Sequence, residues 1–257
     1  MLGTGTGLIQ SQRRSPSVLI ETDTTSIIVD CGWGVPEAIN SLQFGLHTLG
    51  HLCITHSHAD HMAALPALLQ SQLIANIEHL PGEARSTPLT IHGYPAISKD
   101  IATLAKMMVP ELNLARDLRI VEHTHGKVRT YGQLGITGIS VKHVPTLQAV
   151  SFAFEQAGKK VVVTGDLGWD EAVLPLLQDA DIAIIDASAS QEEFEAEPHR
   201  SHLAPIQCGQ LASLANVKHL VLTSLYDREP AADITAAVRK YYTGRLTIPH
   251  DQQTFVI

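Results

Sequence analysis

The stretch Leu52–Leu65 reads LCITHSHADHMAAL, which sets His56, His58, Asp60 and His61 within six positions. Imidazole nitrogens and carboxylate oxygens are the donors that Zn²⁺, Mn²⁺ or Fe²⁺ take. Leu52–Thr55 reads as an apolar strand, and two histidines one residue apart in the extended loop after it point the same way. The turn into a following helix then folds Asp60 and His61 back toward them. Four donors from one short segment exceed what a single tetrahedral ion draws from it. Division between two ions about 3.5–4 Å apart is the natural reading, and a His-rich surface loop that binds nothing is the alternative.

The chain of 257 residues is 44% hydrophobic and 17% charged, enough apolar side chain for a sizeable core and too little charge for disorder. We read residues 1–257 as one domain, since no composition break or low-complexity linker divides them. Net charge is −8, and no stretch concentrates Lys and Arg, so long nucleic acid is a disfavoured partner. Three widely spaced cysteines, Cys31, Cys53 and Cys208, form no CxxC pair and argue against a disulfide framework, which suits a reducing cytoplasm. The start MLGTGTGLIQSQRRSP lacks the regions of a signal peptide, and no apolar run approaches bilayer length, so no membrane is expected. Histidine, at 14 residues, outnumbers Tyr, Phe and Trp together, and points in the same direction as the HSHADH segment.

Short β-branched runs predict strands at Val18–Ile20, Ser26–Val29, His51–Thr55, Leu89–His92, Leu118–Val121, Ile139–His143, Ser151–Phe154, Lys160–Thr164, Ile182–Asp186 and His219–Thr223. Helical stretches are expected near Val35–Gln43, His61–His79, Ile97–Met108, Asp170–Leu177, Pro205–Ala215 and Pro230–Tyr241, with proline near several starts. Strands come in hairpins early and alternate with helices later, which suggests sheets covered by helices.

HSHADH resembles the HxHxDH signature of the metallo-β-lactamase superfamily. The resemblance extends to LGTGTG at the start, Val29-Asp30-Cys31-Gly32 after an early strand, His143 at a later strand end, and Val163-Thr164-Gly165-Asp166. It implies an α/β (α+β) fold, the four-layer αβ/βα sandwich, with metals at one edge of two packed sheets. It also implies that His56, His58 and His143 hold one ion, that Asp60 and His61 hold a second, and that Asp166 bridges them. Read alone, His143 is a strand-end histidine and Asp166 a helix cap.

The opening glycines and the DCG segment look most like the ribonuclease Z-like and phosphodiesterase branch. There a carboxylate and a histidine share proton transfer, and Asp186 in IIDAS and His202 in SHLA resemble that pair. The alternative is that Asp186 caps a loop and His202 caps the helix near Pro205. Large endonucleases of this branch carry a tRNA-clamping insertion, usually between the positions matched by His143 and Asp166. Here 23 positions separate those residues, which a hairpin around Gly158 fills. The branch also places a ligand histidine after its last core strand, where this chain has Ser224 in LVLTSLY. His199 and His202 are near in sequence, but His219 begins the strand, roughly 16 Å from its other end. A weakened or vacant second ion position is expected, so one or two ions per chain.

These residues predict a metal-dependent hydrolase that opens a small phosphodiester with metal-activated hydroxide. Asp60 would orient the hydroxide, and His202, aligned by Asp186, would protonate the leaving oxygen. The rivals are a hydrolase of a thioester, lactone or sulfate ester, and a ligand-binding member with weakened catalysis. The partner expected is a small-molecule substrate, and a homodimer is compatible with the resemblance. The GTGTG loop lacks the strand, helix and Lys-Ser/Thr of a nucleotide cradle, and a tight turn close to the metal centre is expected instead.

Overall fold

The apolar strands pair into two sheets in the computed structural model, which describes residues 1–196 and 201–257. The first sheet holds β1 (Val18–Glu21), β2 (Ser26–Val29), β3 (Leu49–Ile54), β4 (Leu89–Gly93) and β5 (Leu118–Glu122), in that order. Only β1–β2 is antiparallel; the other three pairs are parallel. The second sheet holds β6 (Arg129–Tyr131), β7 (Leu134–Val141), β8 (Ala149–Gln156), β9 (Lys159–Val163), β10 (Ile182–Asp186), β11 (His219–Thr223) and β12 (Arg245–Thr247), again in sequential order. Here β6 to β9 run antiparallel and β9 to β12 parallel.

Nine α-helical segments lie among the described residues: α1 (Val35–Ser41), α2 (Ala59–Met62), α3 (Leu65–Ile77), α4 (Ile97–Met108), α5 (Leu114–Asp117), α6 (Leu174–Leu177), α7 (Gln191–Ala196), α8 (Pro205–Leu214) and α9 (Ala231–Val238). The alternation of side chains along a strand decides which layer each residue joins. On β10, Ile182 and Ile184 enter the core shared with the first sheet, while Ala183 and Ile185 enter the core shared with α6, α8 and α9. Val35, Ala38 and Ile39 of α1, Leu65 of α3 and Ile97 and Ile101 of α4 pack with the first sheet. The result is the four-layer sandwich, helices outside two sheets.

Two local features steer chain ends toward one edge. The periodicity over His61–His79 predicts one helix, but α2 and α3 are separate. The Ala64 N–H, which a continuous helix would bond to Asp60, instead donates to the Cys31 carbonyl at 2.9 Å. Gly32 permits this, since a Cβ there would meet the Asp60 carbonyl oxygen. Between His143 and Asp166, β8 and β9 join through Ala157 and Gly158, whose φ values of 51° and 75° make a tight two-residue turn.

The shared core also contains three buried histidines in a row: His51 on β3, His92 on β4 and His123 just after β5. His51 Nδ1 lies 3.0 Å from His92 Nε2, and His92 Nδ1 lies 3.0 Å from His123 Nε2. Tyr131 packs edge-on against His51 and His92, and Phe152 against His123. Burial lowers all three, His51 and His123 to about 4 and His92 to about 2, with Arg85 beside His51 and Arg129 beside the other two pushing the same way.

Candidate metal centre

The carboxyl ends of β2, β3, β9, β10 and β11 and the end of β7 gather at one edge, where open sheets of this kind place their sites. Three of these ends break into left-handed backbone, Asp30 at φ 61°, Gly165 at 62° and Ser224 at 58°. Glycine adopts this freely; aspartate and serine do so at a cost of order 1–2 kcal/mol, which marks constrained positions.

His56 Nε2 lies 2.9 Å from His58 Nδ1, which lies 3.3 Å from His143 Nε2. Asp166 Oδ2 is 4.0 Å from His56 Nε2. The other oxygen, Oδ1, is 3.4 Å from His61 Nε2, and Asp60 Oδ2 is 3.3 Å from the same nitrogen. Two donor groups therefore converge, one of His56, His58, His143 and Asp166, and one of Asp60, His61 and Asp166, each with its atoms within 4.8 Å of one another. Ligands about 2.0–2.1 Å from a tetrahedral ion stand roughly 3.3 Å apart, close to these spacings.

Tautomers decide whether those nitrogens carry lone pairs or protons. Asp30, absent from the sequence-based site, controls two of them. Its Oδ2 accepts the His61 Nδ1–H at 2.7 Å and the Thr55 hydroxyl at 2.9 Å, and Thr55 Oγ1 in turn accepts the His56 Nδ1–H at 3.1 Å. Oδ1 accepts the Thr55 backbone N–H at 2.7 Å. His143 Nδ1–H donates to the Ser201 carbonyl at 2.8 Å. His56, His61 and His143 thus all turn Nε2 inward, the arrangement by which outer hydrogen bonds prepare imidazole ligands. His61 Nε2 is buried and aligned for no hydrogen bond despite its two carboxylate neighbours. A buried polar atom without a partner is costly, and a cation between Asp60, His61 and Asp166 supplies one. The donor set fits a divalent ion.

Charge supports the same fit. Burial opposes ionisation of Asp166, yet His61, His56 and His202 hold its carboxyl well below the usual range. Burial likewise opposes protonation of His61, yet Asp166 and Asp30 hold it well above the histidine range. The acidic side of the cluster demands positive charge. On the other side, burial pushes His56 down to about 2, with His61 adding to it, so His56 is a neutral imidazole.

Beside the cluster, Asp186 is fully buried and its Oδ2 accepts His202 Nδ1–H at 3.0 Å. Ser188 steadies the other oxygen through its N–H at 3.1 Å and its hydroxyl at 2.8 Å. Burial alone lowers His202, but Asp186, with Asp166 farther off, outweighs it and pushes the imidazole up to about 9. A protonated imidazole beside a cation-binding cluster can donate a proton to a leaving oxygen.

Ser224 sits where the second donor group lacks a fourth member, and its hydroxyl donates to Asp166 Oδ1 at 3.3 Å. His219 lies at the other end of β11, bonded to Thr247 and packed on Phe255. His199 lies outside the described residues. Gly7 of the opening loop packs on Asp60, where a Cβ would fall 3.2 Å from Oδ2, so that loop is a turn at the cluster. The structure brings together every residue named from the sequence, His56, His58, Asp60, His61, His143, Asp166, Asp186 and His202. The sequence reading had no signal for Asp30 beyond its place in the DCG segment.

The family model described as a beta-lactamase superfamily domain matches residues 25–223. A ribonuclease Z of Bradyrhizobium sp. (strain ORS 278) is 22% identical, over 98% of this chain and 98% of its own length. The metallo-beta-lactamase fold protein YhfI from Bacillus subtilis superposes with a TM-score of 0.79 at 18% identity, covering 97% of this chain and 94% of that one. A diphosphatase of the PhnP family superposes with a TM-score of 0.70 at 16% identity, covering 97% and 93%.

Proposed function

Because this chain belongs to the beta-lactamase superfamily, of which the matched domain is one member, we propose that it is a metal-dependent hydrolase of a small phosphodiester. The observation that carries this is the His61 Nε2 atom, buried and unpartnered between two carboxylates, beside three further imidazoles converging on one point. A divalent ion held there supplies Lewis-acid polarisation of a phosphoryl oxygen and lowers the pKa of a bound water.

The chain's own groups do the rest. Asp60, at the rim of the cluster, orients the attacking oxygen and accepts its proton. His202, charged through Asp186, donates from Nε2 to the departing alkoxide, while Nδ1 stays on the carboxylate. His56, His58, His143 and Asp166 make the stronger cation position. Asp60, His61 and Asp166 make a weaker one, because Ser224 spends its hydroxyl on Asp166. Zn²⁺, Mn²⁺ and Fe²⁺ all suit three imidazoles and a carboxylate.

Relatives named ribonuclease Z act at phosphodiesters, and the PhnP-family neighbour is named a diphosphatase. A small substrate is favoured here over tRNA. A net charge of −8 offers little for a polyanion, and only a two-residue turn joins β8 to β9. Among the described residues no helix is long and apolar enough to cross a membrane, and the three cysteines are free and buried, as a reducing setting allows. We read residues 1–257 as one hydrolase domain.

The test is turnover of bis-p-nitrophenyl phosphate by protein loaded with Mn²⁺ or Zn²⁺. We expect hydrolysis that is lost in His58→Ala and no cleavage of precursor tRNA. Metal-replete protein inert toward every phosphodiester but active on thioesters or lactones would replace this reading.

A further inference from the structure

Beside the cluster the chain holds apolar side chains out in water that the chemistry above does not use. The loop after Gly7 presents Leu8 and Ile9, 54% and 80% exposed. It is tied down on both flanks. Gly5 N–H donates to the Arg14 carbonyl at 2.7 Å, and the Arg13 guanidinium donates to Thr4 Oγ1 at 2.7 Å and the Pro249 carbonyl at 2.8 Å. On the other flank Gln10 donates to the Leu225 carbonyl at 2.9 Å and accepts the Asp227 N–H at 2.7 Å, while the Asp227 carboxylate accepts the Gln12 N–H at 3.1 Å.

These bonds fix where the tip stands. A Cβ on Gly7 would stand 3.2 Å from the Asp60 carboxylate, so Leu8 begins one Cα step, about 3.8 Å, from a residue beside the cluster. Gln10, two residues on from Leu8, is zipped to the segment that directly follows Ser224. Single exposed aliphatics are ordinary, but two adjacent ones on an anchored loop at the rim of a polar, cation-demanding cluster make a small apolar wall beside it. Binding sites commonly combine such apolar walls with a few convergent polar groups.

We infer that Leu8 and Ile9 form a specificity subsite that receives an apolar organic substituent of the ester, aromatic or aliphatic, while its phosphoryl group sits at the cluster. The inference rests on the hydrolase reading above. It makes the preferred substrate a diester with at least one uncharged hydrophobic arm. Covering the two side chains also removes apolar surface from water, which favours binding of such an arm over a methyl group.

The experiment compares phenyl p-nitrophenyl phosphate with methyl p-nitrophenyl phosphate, which release the same p-nitrophenolate and differ in the arm retained. The ratio of their kcat/KM values is measured for the wild type and for the Leu8→Ser/Ile9→Ser double variant. We expect the phenyl-over-methyl ratio to fall about tenfold in the variant, the change that roughly 55 Å² of lost apolar contact produces. Calorimetric titration of metal-loaded protein with phenylphosphonate and methylphosphonate reads the same preference without turnover. If neither ester is hydrolysed, the hydrolase reading fails, and the phosphonate preference alone decides the subsite. An unchanged ratio overturns the inference, as does wild-type binding to phosphatidylcholine vesicles that the variant loses without a change in ratio. Melting curves check folding, and Ile9→Gln alone serves if the double variant melts early.

Discussion

The molecule contains two groups of histidines, arranged in opposite ways. In His51, His92 and His123 the nitrogens meet in series, each 3.0 Å contact pairing one donor with one acceptor. Neutral imidazoles satisfy one another there, and aromatic rings close around them. In His56, His61 and His143 the outer nitrogens are bonded to Thr55, Asp30 and Ser201, so their Nε2 atoms turn inward toward His58 Nδ1 and the carboxylates. Residue type is alike in the two groups, and every member but the half-buried His58 is buried. What differs is whether the lone pairs converge, and only convergence leaves a demand that a cation answers.

Breaking the convergent group has the largest expected effect. Asp166 is common to both donor groups, so Asp166→Ala should empty the centre by mass spectrometry of bound metal and cut phosphodiester turnover by about a thousandfold or more. The His51 row should be untouched, with thermal stability of the metal-free protein little altered. His202→Ala separates proton donation from cation binding. We expect a loss of about 10²- to 10³-fold in kcat, greater for alkyl than for p-nitrophenyl leaving groups, with metal content unchanged. Equal losses for both leaving groups would remove His202 from proton transfer.

The serial group is tested by His92→Leu, which strands a nitrogen on each neighbour and should cost about 1–3 kcal/mol in denaturant unfolding while leaving metal content alone. The row also sets a pH dependence. In the unfolded chain each histidine protonates near the ordinary value of about 6.5, whereas folded His51 and His123 wait until about 4 and His92 until about 2. The unfolded state therefore binds more protons across that window, and stability should fall as pH drops from about 6.5 toward 4. In His92→Leu the fall should be shallower. The smallest effect sharpens the asymmetry within the convergent group. Ser224→His adds a fourth donor to the Asp60 side and should tighten a second ion about tenfold, read as ions per chain across a zinc titration.

Local patterns in the chain carried much of this arrangement. The bounds of β2, β10, β11 and α4 follow the β-branched and amphipathic runs as read. The site residues lie where strands end in His or Asp, which made them visible before any tertiary contact was known. The break between α2 and α3 was invisible because Cys31 and Gly32, distant in sequence, take the hydrogen bond a helix would have kept. β6 and β12 are three residues each, too short for periodicity to register. Histidines 51, 92 and 123 gave no clue to their pairing, since a histidine on an apolar strand reads the same whether its partner is water or another ring. Asp30 escaped for a similar reason: its work is done on Thr55 and His61, one strand away.

The donors at the edge come from both halves of the sandwich, His56 to His61 following β3 of the first sheet and His143 and Asp166 following β7 and β9 of the second. A bound ion would therefore act as a rivet through two layers that also adhere by their apolar faces and by a few hydrogen bonds such as Val150 N–H to the Thr55 carbonyl. Resistance to heat would then track the free cation concentration, gaining about 2.7 kcal/mol at a hundred times the dissociation constant. Chelators would loosen the architecture as well as silence it.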